Sequence, residues 1–331
     1  MHIALCHDAV IPPRTYGGTE RVIYWLAQAL NTLGHRTTLI ARAGSHIPNV
    51  PLIVMRRSAS FDDLLPSDVD IAHLWATPRT RPRKPFLVTI EGNGAPGETF
   101  HPNTVFISKS HANLHGSNHF VYNGVAANDY ECRDSRDDYV VFLAKASWKV
   151  KNLRGAIDVA RAAGLRLEVL GSRDLPFNFH KLLPTIRGVR YRGMVNDLEK
   201  RQLLSRARAL LFPVRWPEPF GVAVVEALLS GCPVLATPYG ALPEIITPDV
   251  GLLTTSGDEM VKALRDPLRF EPRRCRNHAI DRFSDLDMAR SYLAYYEQIT
   301  RHGSLDSDRL IPQILSEAST DKLLPWTEPR R

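Results

Sequence analysis

The sequence predicts an α/β protein with two doubly wound domains. Short, continuously apolar segments alternate with helical patterns along most of the 331 residues. Strands of this kind belong in a parallel sheet that is covered by helices. A polar, charged segment at 126–138 interrupts the alternation, which then restarts. Because a chain of this length suits two domains of roughly 150 residues each, we interpret that segment as a linker.

The first predicted domain, 1–130, begins with the short apolar run IALCHDAV, which ends in the glycine-containing loop PPRTYGGT. The next segment, TERVIYWLAQALNTLGH, carries apolar residues at helical spacing, with Thr19 as the expected N-cap and Gly34 as the stop. Further apolar runs are predicted as strands, and these are TTLIARA, DIAHLWA, PFLVTIEG, NTVFISKS and HFVYNGV.

The second predicted domain, 131–285, repeats this alternation. Its strands are DYVVFLAKA, LRLEVLGS, VRYRGMV, ALLFPV and CPVLATP, and its helices are NLRGAIDVARAAG, DLEKRQLLSRA, FGVAVVEALLSG and the short LPEII. Over 286–331 we predict a long helix that crosses back, followed by a polar tail. Ligands of doubly wound sheets bind beyond the carboxyl ends of the strands, so we expect the site in the cleft between the domains.

The composition narrows the classes of function. No apolar run approaches the ~18 residues of a membrane-spanning helix, and MHIALCHDAV lacks the basic start of a secretion signal. The four cysteines are single and the histidines show no paired ligand spacing, so we predict no disulfide, metal or cofactor and expect a cytoplasmic protein. A net charge of +7 favours anionic partners such as phosphates and nucleotides, whereas no motif indicates nucleic acid.

Two acidic residues form the strongest local signal. Glu218 and Glu226 lie eight positions apart in WPEPFGVAVVEALLSG. Glu218 comes just before the predicted start of a helix, where free backbone N–H groups point outward. Glu226 lies further along that helix among apolar residues, so a buried carboxylate there needs donors such as ribose or sugar hydroxyls. A solvent-facing Glu226 is the alternative, and the spacing does not decide between the two.

Two loops between a strand and a helix carry the other signals. Gly17 and Gly18 follow the first strand, and glycines there let backbone N–H groups approach a phosphate or sugar, although a turn alone also needs them. Lys145, Lys149 and Lys151 follow the first strand of the second domain and could hold a diphosphate at the start of the next helix. The alternative is a solvated charged loop; Lys145, at the end of an apolar strand, is favoured over Lys149.

These motifs resemble the retaining, sugar-nucleotide-dependent glycosyltransferases of family 4, glycosyl transferases of group 1 with the GT-B fold of two Rossmann-like domains and an interdomain cleft. The segment PVRWPEPFGVAVVEALLSGCPVLATPYGALPEII is similar to the family's E-x-F-G-x-x-x-x-E-A region and the strand and short helix after it. YNGV resembles the family's N-G-V signature, and YGGTERVIYWLAQALNTLGHRTTLIA resembles its N-terminal glycine loop, helix and second strand. The match covers about residues 1–300.

The resemblance implies roles on the donor side. Glu218 would contact the donor sugar hydroxyls, and Glu226 would bind the ribose. The backbone at Phe220, Gly221 and Val222 would approach the sugar and diphosphate of the bound nucleotide.

The resemblance also implies what holds the diphosphate. Gly17 and Gly18 would border the diphosphate and the acceptor. Lys145 and Lys151 stand where the family has an arginine and a lysine, and both would neutralise the leaving group. One more residue than usual separates them, so Lys149 is a competing assignment.

The first domain departs from the family pattern. A His-Gly pair often follows the fourth apolar strand of the family, whereas this chain has TIEGNG there, which places Glu91 or Asn93 at that position. We expect these two residues, with Asn123 of YNGV, on the acceptor side. Asn123 and its glycine neighbour could equally form only a turn.

The implied function is transfer of a sugar, with retention, from a nucleotide-diphosphate sugar to a glycan or lipid-linked acceptor, in envelope polysaccharide or lipopolysaccharide synthesis. A sugar-nucleotide 2-epimerase and a non-catalytic nucleotide-sugar-binding protein are the alternatives. The basic loop with Arg79, Arg81, Arg83 and Lys84 either touches the anionic inner face of a membrane or is simply solvated. We therefore predict a cytoplasmic protein and keep peripheral contact with the inner face of the membrane as an alternative.

Overall fold

The computed structural model describes residues 1–14, 17–55, 61–95, 97–171, 188–266, 269–305 and 323–330. They form two compact units. The first unit contains Met1–Val125 and the chain from Phe283 to Leu305, and the second contains Ala126–Arg282 and residues 323–330.

The first unit is built on a six-stranded sheet in the order β3-β2-β1-β4-β5-β6, in which every neighbouring pair is parallel. The central strands are buried along their length, as strands covered on both faces should be. The strands are β1 (His2–Cys6), β2 (Arg36–Ala41), β3 (Leu52–Val54), β4 (Ile71–Leu74), β5 (Phe86–Ile90) and β6 (Thr104–Phe106).

The described helices of the first unit are α1 (Gly18–Thr32), α2 (Phe61–Leu64), α3 (Lys109–Leu114) and α10 (Asp285–His302). The last of these lies far along the chain yet packs on α1 and β5.

In α10, Tyr292 and Tyr296 are fully buried, and the Tyr296 hydroxyl lies 2.7 Å from Nδ1 of His73 in β4. Burial lowers the pKa of His73 well below its usual value, so this histidine is a neutral core residue.

The second unit has a six-stranded parallel sheet in the order β12-β11-β10-β7-β8-β9. Its strands are β7 (Tyr139–Leu143), β8 (Arg166–Leu170), β9 (Val189–Gly193), β10 (Ala209–Phe212), β11 (Val234–Ala236) and β12 (Gly251–Leu253). Its described helices are α4 (Leu153–Ala162), α5 (Asp197–Arg206), α6 (Val222–Leu229), α7 (Leu242–Ile245), α8 (Gly257–Leu264) and α9 (Pro272–Arg282).

The two sheets share one topology. In each, the first three strands of the unit run outward from the centre on one side and the last three on the other, which is the doubly wound Rossmann order. The prediction of two Rossmann-like domains is therefore confirmed. The winding reverses between β1 and β4 in the first unit and between β7 and β10 in the second, and ligands bind at such switch points.

Two details of the prediction are wrong. HFVYNGV is not a strand, because it meets β6 only at the bridge between Phe106 and Phe120 and then turns to pair Val125 with Ser284 at the start of α10. The N-cap of α1 is Gly17 and not Thr19. None of the described helices is long and apolar enough to cross a membrane.

Candidate functional site

The candidate site of the second unit lies on the loops that follow β7 and β10. These two strands are neighbours in the sheet, pairing Ala209 with Val140 and Leu210 with Val141. They lead into α4 and α6, respectively, so the starts of two helices face the region where the winding of the sheet reverses. Helix N-termini present free N–H groups and a partial positive charge, which suits a phosphate.

Lys151 and Glu218 meet at this place. The Nζ atom of Lys151 lies 2.6 Å from Oε2 of Glu218, and the two residues are each only 7% exposed. The indole Nε1–H of Trp216 donates to the same oxygen at 2.5 Å, and the ring centroid of Trp216 lies 4.6 Å from the ammonium. A buried carboxylate is thus compensated by one cation and one neutral donor, as burial of charge requires.

The backbone holds the two loops together. Asn152 adopts a left-handed conformation with φ 54°, and its side chain accepts from the N–H of Gly155 at the start of α4. The same side chain donates to the carbonyl of Pro213, just beyond β10, at 3.0 Å. The N–H of Arg215 donates to the carbonyl of Val150 at 2.7 Å. These bonds fix the segment with Lys151 against the segment with Glu218.

The position of Glu218 depends on a glycine distant in sequence. A Cβ atom at Gly240 would lie 2.2 Å from the carbonyl oxygen and 2.3 Å from the nitrogen of Glu218. The N–H of Ala241 donates to that carbonyl at 2.8 Å. Only glycine allows this approach, so the chain around 240 pins the backbone of Glu218.

The loop after Glu218 leads directly into α6. Phe220 is 1% exposed, and Gly221 is the N-cap of α6 with φ 102°, a conformation that favours glycine. Val222 is the first residue of the helix. The backbone N–H groups that the sequence assigns to nucleotide binding therefore lie at a helix start.

Glu226 faces inward. It is 4% exposed, and its Oε1 accepts from the Tyr130 hydroxyl at 2.6 Å and from Nζ of Lys200 at 2.5 Å. Lys200 also pairs with Asp197 at 2.9 Å. The alternative of a solvent-facing Glu226 is wrong, because these donors hold the carboxylate inside. Burial, followed by the charge of Glu226, raises the pKa of Tyr130 well above its usual value, so Tyr130 remains a neutral donor.

The other two lysines of the loop are exposed. Nζ of Lys145 lies 4.8 Å from the ring centroid of Trp148. Neither Lys145 nor Lys149 makes a described ion pair with Glu218, so among the residues that the structure describes it is Lys151 that is brought to this carboxylate.

The glycine pair lies at the switch point of the first unit. Gly17 has φ 153°, and a Cβ there would come within 2.5 Å of Oε2 of Glu20 and 2.8 Å of Cβ of Pro13. Gly18 is the first residue of α1. Apart from its chain neighbours and the backbone of its helix, no atom of the described residues lies within 4 Å of where its Cβ would be. Within the described part of the chain, the loop is therefore packed at Gly17 and open at Gly18.

Two of the predicted acceptor-side residues, Glu91 and Asn93, follow β5, and the third, Asn123, contacts Glu91 from beyond α3. Nδ2 of Asn123, which is fully buried, donates to Oε2 of Glu91 at 2.9 Å, whereas Asn93 is half-buried on the same loop. Burial raises the pKa of Glu91 to about 7, and the Asn123 amide opposes the shift. Oε1 of Glu91 and Oδ1 of Asn123 are buried with no hydrogen-bond partner among the described residues.

Two further titratable residues, His7 and Glu20, lie near Glu91. His7, which follows β1, pairs with Glu20 of α1 at 3.8 Å, and its hydrogen bond lowers the pKa of that carboxyl. Neither His7 nor Glu20 was predicted from the sequence, and the same is true of Lys200 and Tyr130. Of these, His7 had a signal, because it directly follows the first strand at the edge where ligands bind. Lys200 and Tyr130 lie on a polar helix and in the linker segment and carried none.

Comparison with known proteins identifies the second unit. Residues 132–281 match the model of the family described as glycosyl transferases group 1. This segment contains both the Lys151–Glu218 pair and Glu226. Over these residues the resemblance to glycosyl transferases of group 1 is confirmed, whereas membership of family 4 and retention stay predictions.

Curated relatives match parts of the chain. A phosphatidyl-myo-inositol mannosyltransferase of Propionibacterium freudenreichii is 30% identical over 174 residues, 46% of this chain and 44% of that protein. An uncharacterized 41.2 kDa protein in the cps region of Klebsiella pneumoniae is 34% identical over 114 residues, 32% of each chain. The matches thus span between about a third and just under half of these relatives' length.

Solved structures share the fold across nearly the whole chain. AviGT4, a glycosyltransferase involved in avilamycin A biosynthesis, has a TM-score of 0.72 at 23% identity, covering 91% of this chain and 98% of its own. HepE of Anabaena, in complex with UDP-glucose, has a TM-score of 0.66 at 16% identity, covering 91% and 100%. At these identities the likeness concerns the fold alone.

Proposed function

We propose, from the premise that residues 132–281 match the glycosyl transferases group 1 family, that this chain is a retaining glycosyltransferase. It moves a hexosyl group from a nucleotide-diphosphate sugar to a glycan or lipid-linked acceptor. The mannosyltransferase among the relatives and the protein of a cps region support a role in envelope polysaccharide or lipopolysaccharide synthesis.

The buried Lys151–Glu218 pair at the switch point carries the proposal. In glycosyl transfer the bond between the anomeric carbon and the diphosphate oxygen breaks, and negative charge develops on the diphosphate. In this proposal Lys151 and the N–H groups at the starts of α4 and α6 stabilise that charge. Glu218, an acceptor of hydrogen bonds, orients the sugar through its hydroxyls.

Donor binding changes the partners of this pair. Lys151 turns from the carboxylate toward the diphosphate, and the carboxylate exchanges an ammonium donor for sugar hydroxyls. Trp216 keeps its hydrogen bond to Oε2 and so keeps Glu218 in place. The acceptor oxygen bonds to the anomeric carbon on the face that the diphosphate leaves, and the acceptor proton passes to the departing phosphate oxygen.

Glu226 binds the ribose of the donor. Tyr130 and Lys200 already orient its Oε1, which leaves Oε2 for the ribose diol. Lys145 adds positive charge beside the diphosphate from its exposed position. In the first unit, Gly17 and Gly18 border the diphosphate and the acceptor. Glu91, Asn93 and Asn123 serve the acceptor side.

The enzyme works in the cytoplasm without a metal or other cofactor. Arg79, Arg81 and Arg83 are exposed, and we include contact of this loop with an anionic membrane surface in the proposal because a lipid-linked acceptor lies there. Liposome sedimentation of the variant with all three arginines changed to Ser tests the contact; binding equal to that of the unmodified protein would remove it.

The function is tested with a panel of UDP-, GDP-, ADP- and dTDP-sugars. Binding to the folded state raises the melting temperature, so a thermal-shift screen selects the donor, and release of nucleoside diphosphate with and without glycan acceptors measures transfer. Glu218→Gln and Lys151→Met are expected to lose at least about a hundredfold in turnover. The matched controls are Glu259→Gln and Lys262→Met, whose side chains are exposed on α8.

Two outcomes would overturn the proposal. Conversion of the sugar nucleotide to its epimer in the absence of acceptor would indicate an epimerase. Binding of a sugar nucleotide without transfer to any acceptor would indicate a binding protein.

A further inference from the structure

The described end of the chain, residues 323–330, lies on the second unit, and we name it the C-terminal strap. Its first contacts are with two segments that flank Glu218. The N–H of Leu324 donates to the carbonyl of Arg215 at 2.9 Å, and Nε of Arg215 donates to the carbonyl of Leu324 at 2.7 Å. The Tyr239 hydroxyl donates to the carbonyl of Pro325 at 2.6 Å.

The strap continues along the start of α8. The N–H of Thr327 donates to the carbonyl of Thr255 at 2.8 Å, and the N–H of Gly257 donates to the carbonyl of Thr327 at 2.8 Å. These bonds form a short parallel bridge between Ser256 and Thr327. At the end of the strap, the N–H of Arg330 donates to Oδ1 of Asp258 at 2.7 Å.

Gly257 provides the seat for this segment. A Cβ atom at that position would lie 2.5 Å from Cδ and 2.6 Å from the nitrogen of Pro329. Gly257 is the first residue of α8, where alanine is a better helix former. The glycine at this position leaves the space that Pro329 occupies.

Both residues that the strap binds near its start are joined to the candidate site. The N–H of Arg215 donates to the carbonyl of Val150, the neighbour of Lys151. Tyr239 directly precedes Gly240, which closes on the backbone of Glu218. The strap therefore binds the two segments, at Arg215 and at Tyr239, that contact the backbone around Lys151 and Glu218.

We propose that the C-terminal strap is a positioning element of the donor site. Docked, it holds the segments at Arg215 and Tyr239 in the arrangement that brings Lys151 and Glu218 together; released, it leaves these loops with several conformations. Because affinity falls in proportion to the population of the binding-competent state, release weakens binding of the diphosphate. The claim that the strap strengthens diphosphate binding rests on the proposed function. The claim that it orders the loops at Arg215 and Tyr239 does not.

Two variants release the strap in different ways. A protein that ends at residue 322 removes it, and Gly257→Ala keeps it but fills its seat. Glu328→Ala, which changes an exposed strap residue with no described hydrogen bond, is the matched control. Gly257→Ala also guards against a shortened protein that fails to fold, because alanine suits the first turn of α8.

Hydrogen exchange followed by mass spectrometry tests the structural part without any ligand. We expect faster exchange at 215–221 and 239–241 in both release variants, with unchanged exchange in β7. Glu328→Ala should behave as the unmodified protein. Unchanged exchange at 215–221 in both variants would overturn the proposal, whatever the ligand of the protein.

Calorimetric titration with UDP, GDP and ADP tests the functional part well below the melting temperature. For the nucleotide that binds, release should weaken affinity about tenfold, and the control should stay within twofold. A strap that merely stabilises the fold would lower the melting temperature and leave the affinity unchanged, and this result would overturn the positioning role. If none of the three nucleotides binds the unmodified protein, that result counts against the proposed function. The hydrogen-exchange result still tests whether the strap orders the loops.

Discussion

Lys151 and Glu218 lie 67 positions apart in the chain and meet in a buried ion pair at 2.6 Å. The loops that carry them follow two neighbouring strands of one sheet, so the parallel topology brings them to the same edge. A cation and an acceptor in contact, at the place where doubly wound sheets bind ligands, suit a charged diphosphate with an attached polyol.

Removal of one partner of this pair should destabilise the second unit. Lys151→Met leaves the Glu218 carboxylate buried with only the Trp216 donor, and we expect a loss of about 3 kcal/mol in the free energy of unfolding. Glu218→Gln in the same chain should restore part of that loss, because the uncompensated charge is gone. Urea unfolding of both single variants and the double variant measures the coupling. Additive losses would show that the pair does not interact.

Gly240→Ala should disturb Glu218 without touching its side chain. The added Cβ would meet the backbone of Glu218 at 2.2 Å, so the segment must move, and we expect a loss of at least about 2 kcal/mol in unfolding free energy together with loss of turnover. Gly164→Ala is the matched control, since this glycine also has a positive φ, 72°, but open space around its Cβ position. Equal effects of the two changes would show that backbone strain, and not the contact with Glu218, is responsible.

Glu91 should make the stability of the protein depend on pH. Folding raises its pKa from 4.5 to about 7. Between these two pH values the folded chain therefore keeps a proton on Glu91 that the unfolded chain has lost. Stability from this group is therefore present below pH 4.5 and is lost as the pH rises to about 7. His7, Glu20 and the Asn123 amide share its surroundings. All three are present in both proteins of the comparison below, so their contributions to the difference cancel.

The measurement is urea unfolding of the unmodified protein and of Glu91→Gln between pH 5 and pH 8. We expect the difference in unfolding free energy between them to change by on the order of 2 kcal/mol across this range, with the unmodified protein losing stability as the pH rises. Parallel pH curves would show that Glu91 is ionised in the folded protein as in a peptide.

Variants of Glu226 and of its donor Tyr130 should separate an effect on nucleotide binding from an effect on stability. Glu226→Gln removes the charge that faces Lys200 and that we propose binds the ribose. We therefore expect nucleoside diphosphate affinity to fall about tenfold, as for loss of a charged hydrogen bond. Tyr130→Phe removes one neutral donor to Oε1 and should cost about 1 kcal/mol of stability with affinity kept within threefold. Titration calorimetry and thermal unfolding of both variants give the two quantities; an affinity loss only in Tyr130→Phe would contradict the assignment.

The sequence alone predicted those parts of the site that lie in loops between a strand and a helix. Glu218 stood out by its place before a helix start and its spacing from Glu226, and Gly17 and Lys151 by lying in loops that join a strand to a helix. Their roles in catalysis and binding stay predictions. The alternation of apolar and helical segments was likewise enough for the two Rossmann-like sheets, because buried parallel strands are continuously apolar.

The remainder depended on partners distant in sequence. Glu226 was ambiguous because the donors that turn it inward, Lys200 and Tyr130, lie 26 and 96 positions away. HFVYNGV looked like a strand because its apolar residues pack against β6 and α10, and burial of a loop resembles burial of a strand in sequence. The strap left no pattern in its own residues, since it contributes backbone N–H and C=O groups to the hydrogen bonds that hold it.

The most direct measurement compares the affinity of a sugar nucleotide with that of the same nucleoside diphosphate, by calorimetry, in the unmodified protein, Glu218→Gln and Glu259→Gln. If Glu218 holds the donor sugar beside Lys151, the sugar nucleotide binds more tightly than the diphosphate in the unmodified protein and in Glu259→Gln. That advantage then disappears in Glu218→Gln. An equal advantage in all three proteins would contradict the account, because the sugar would then be recognised elsewhere.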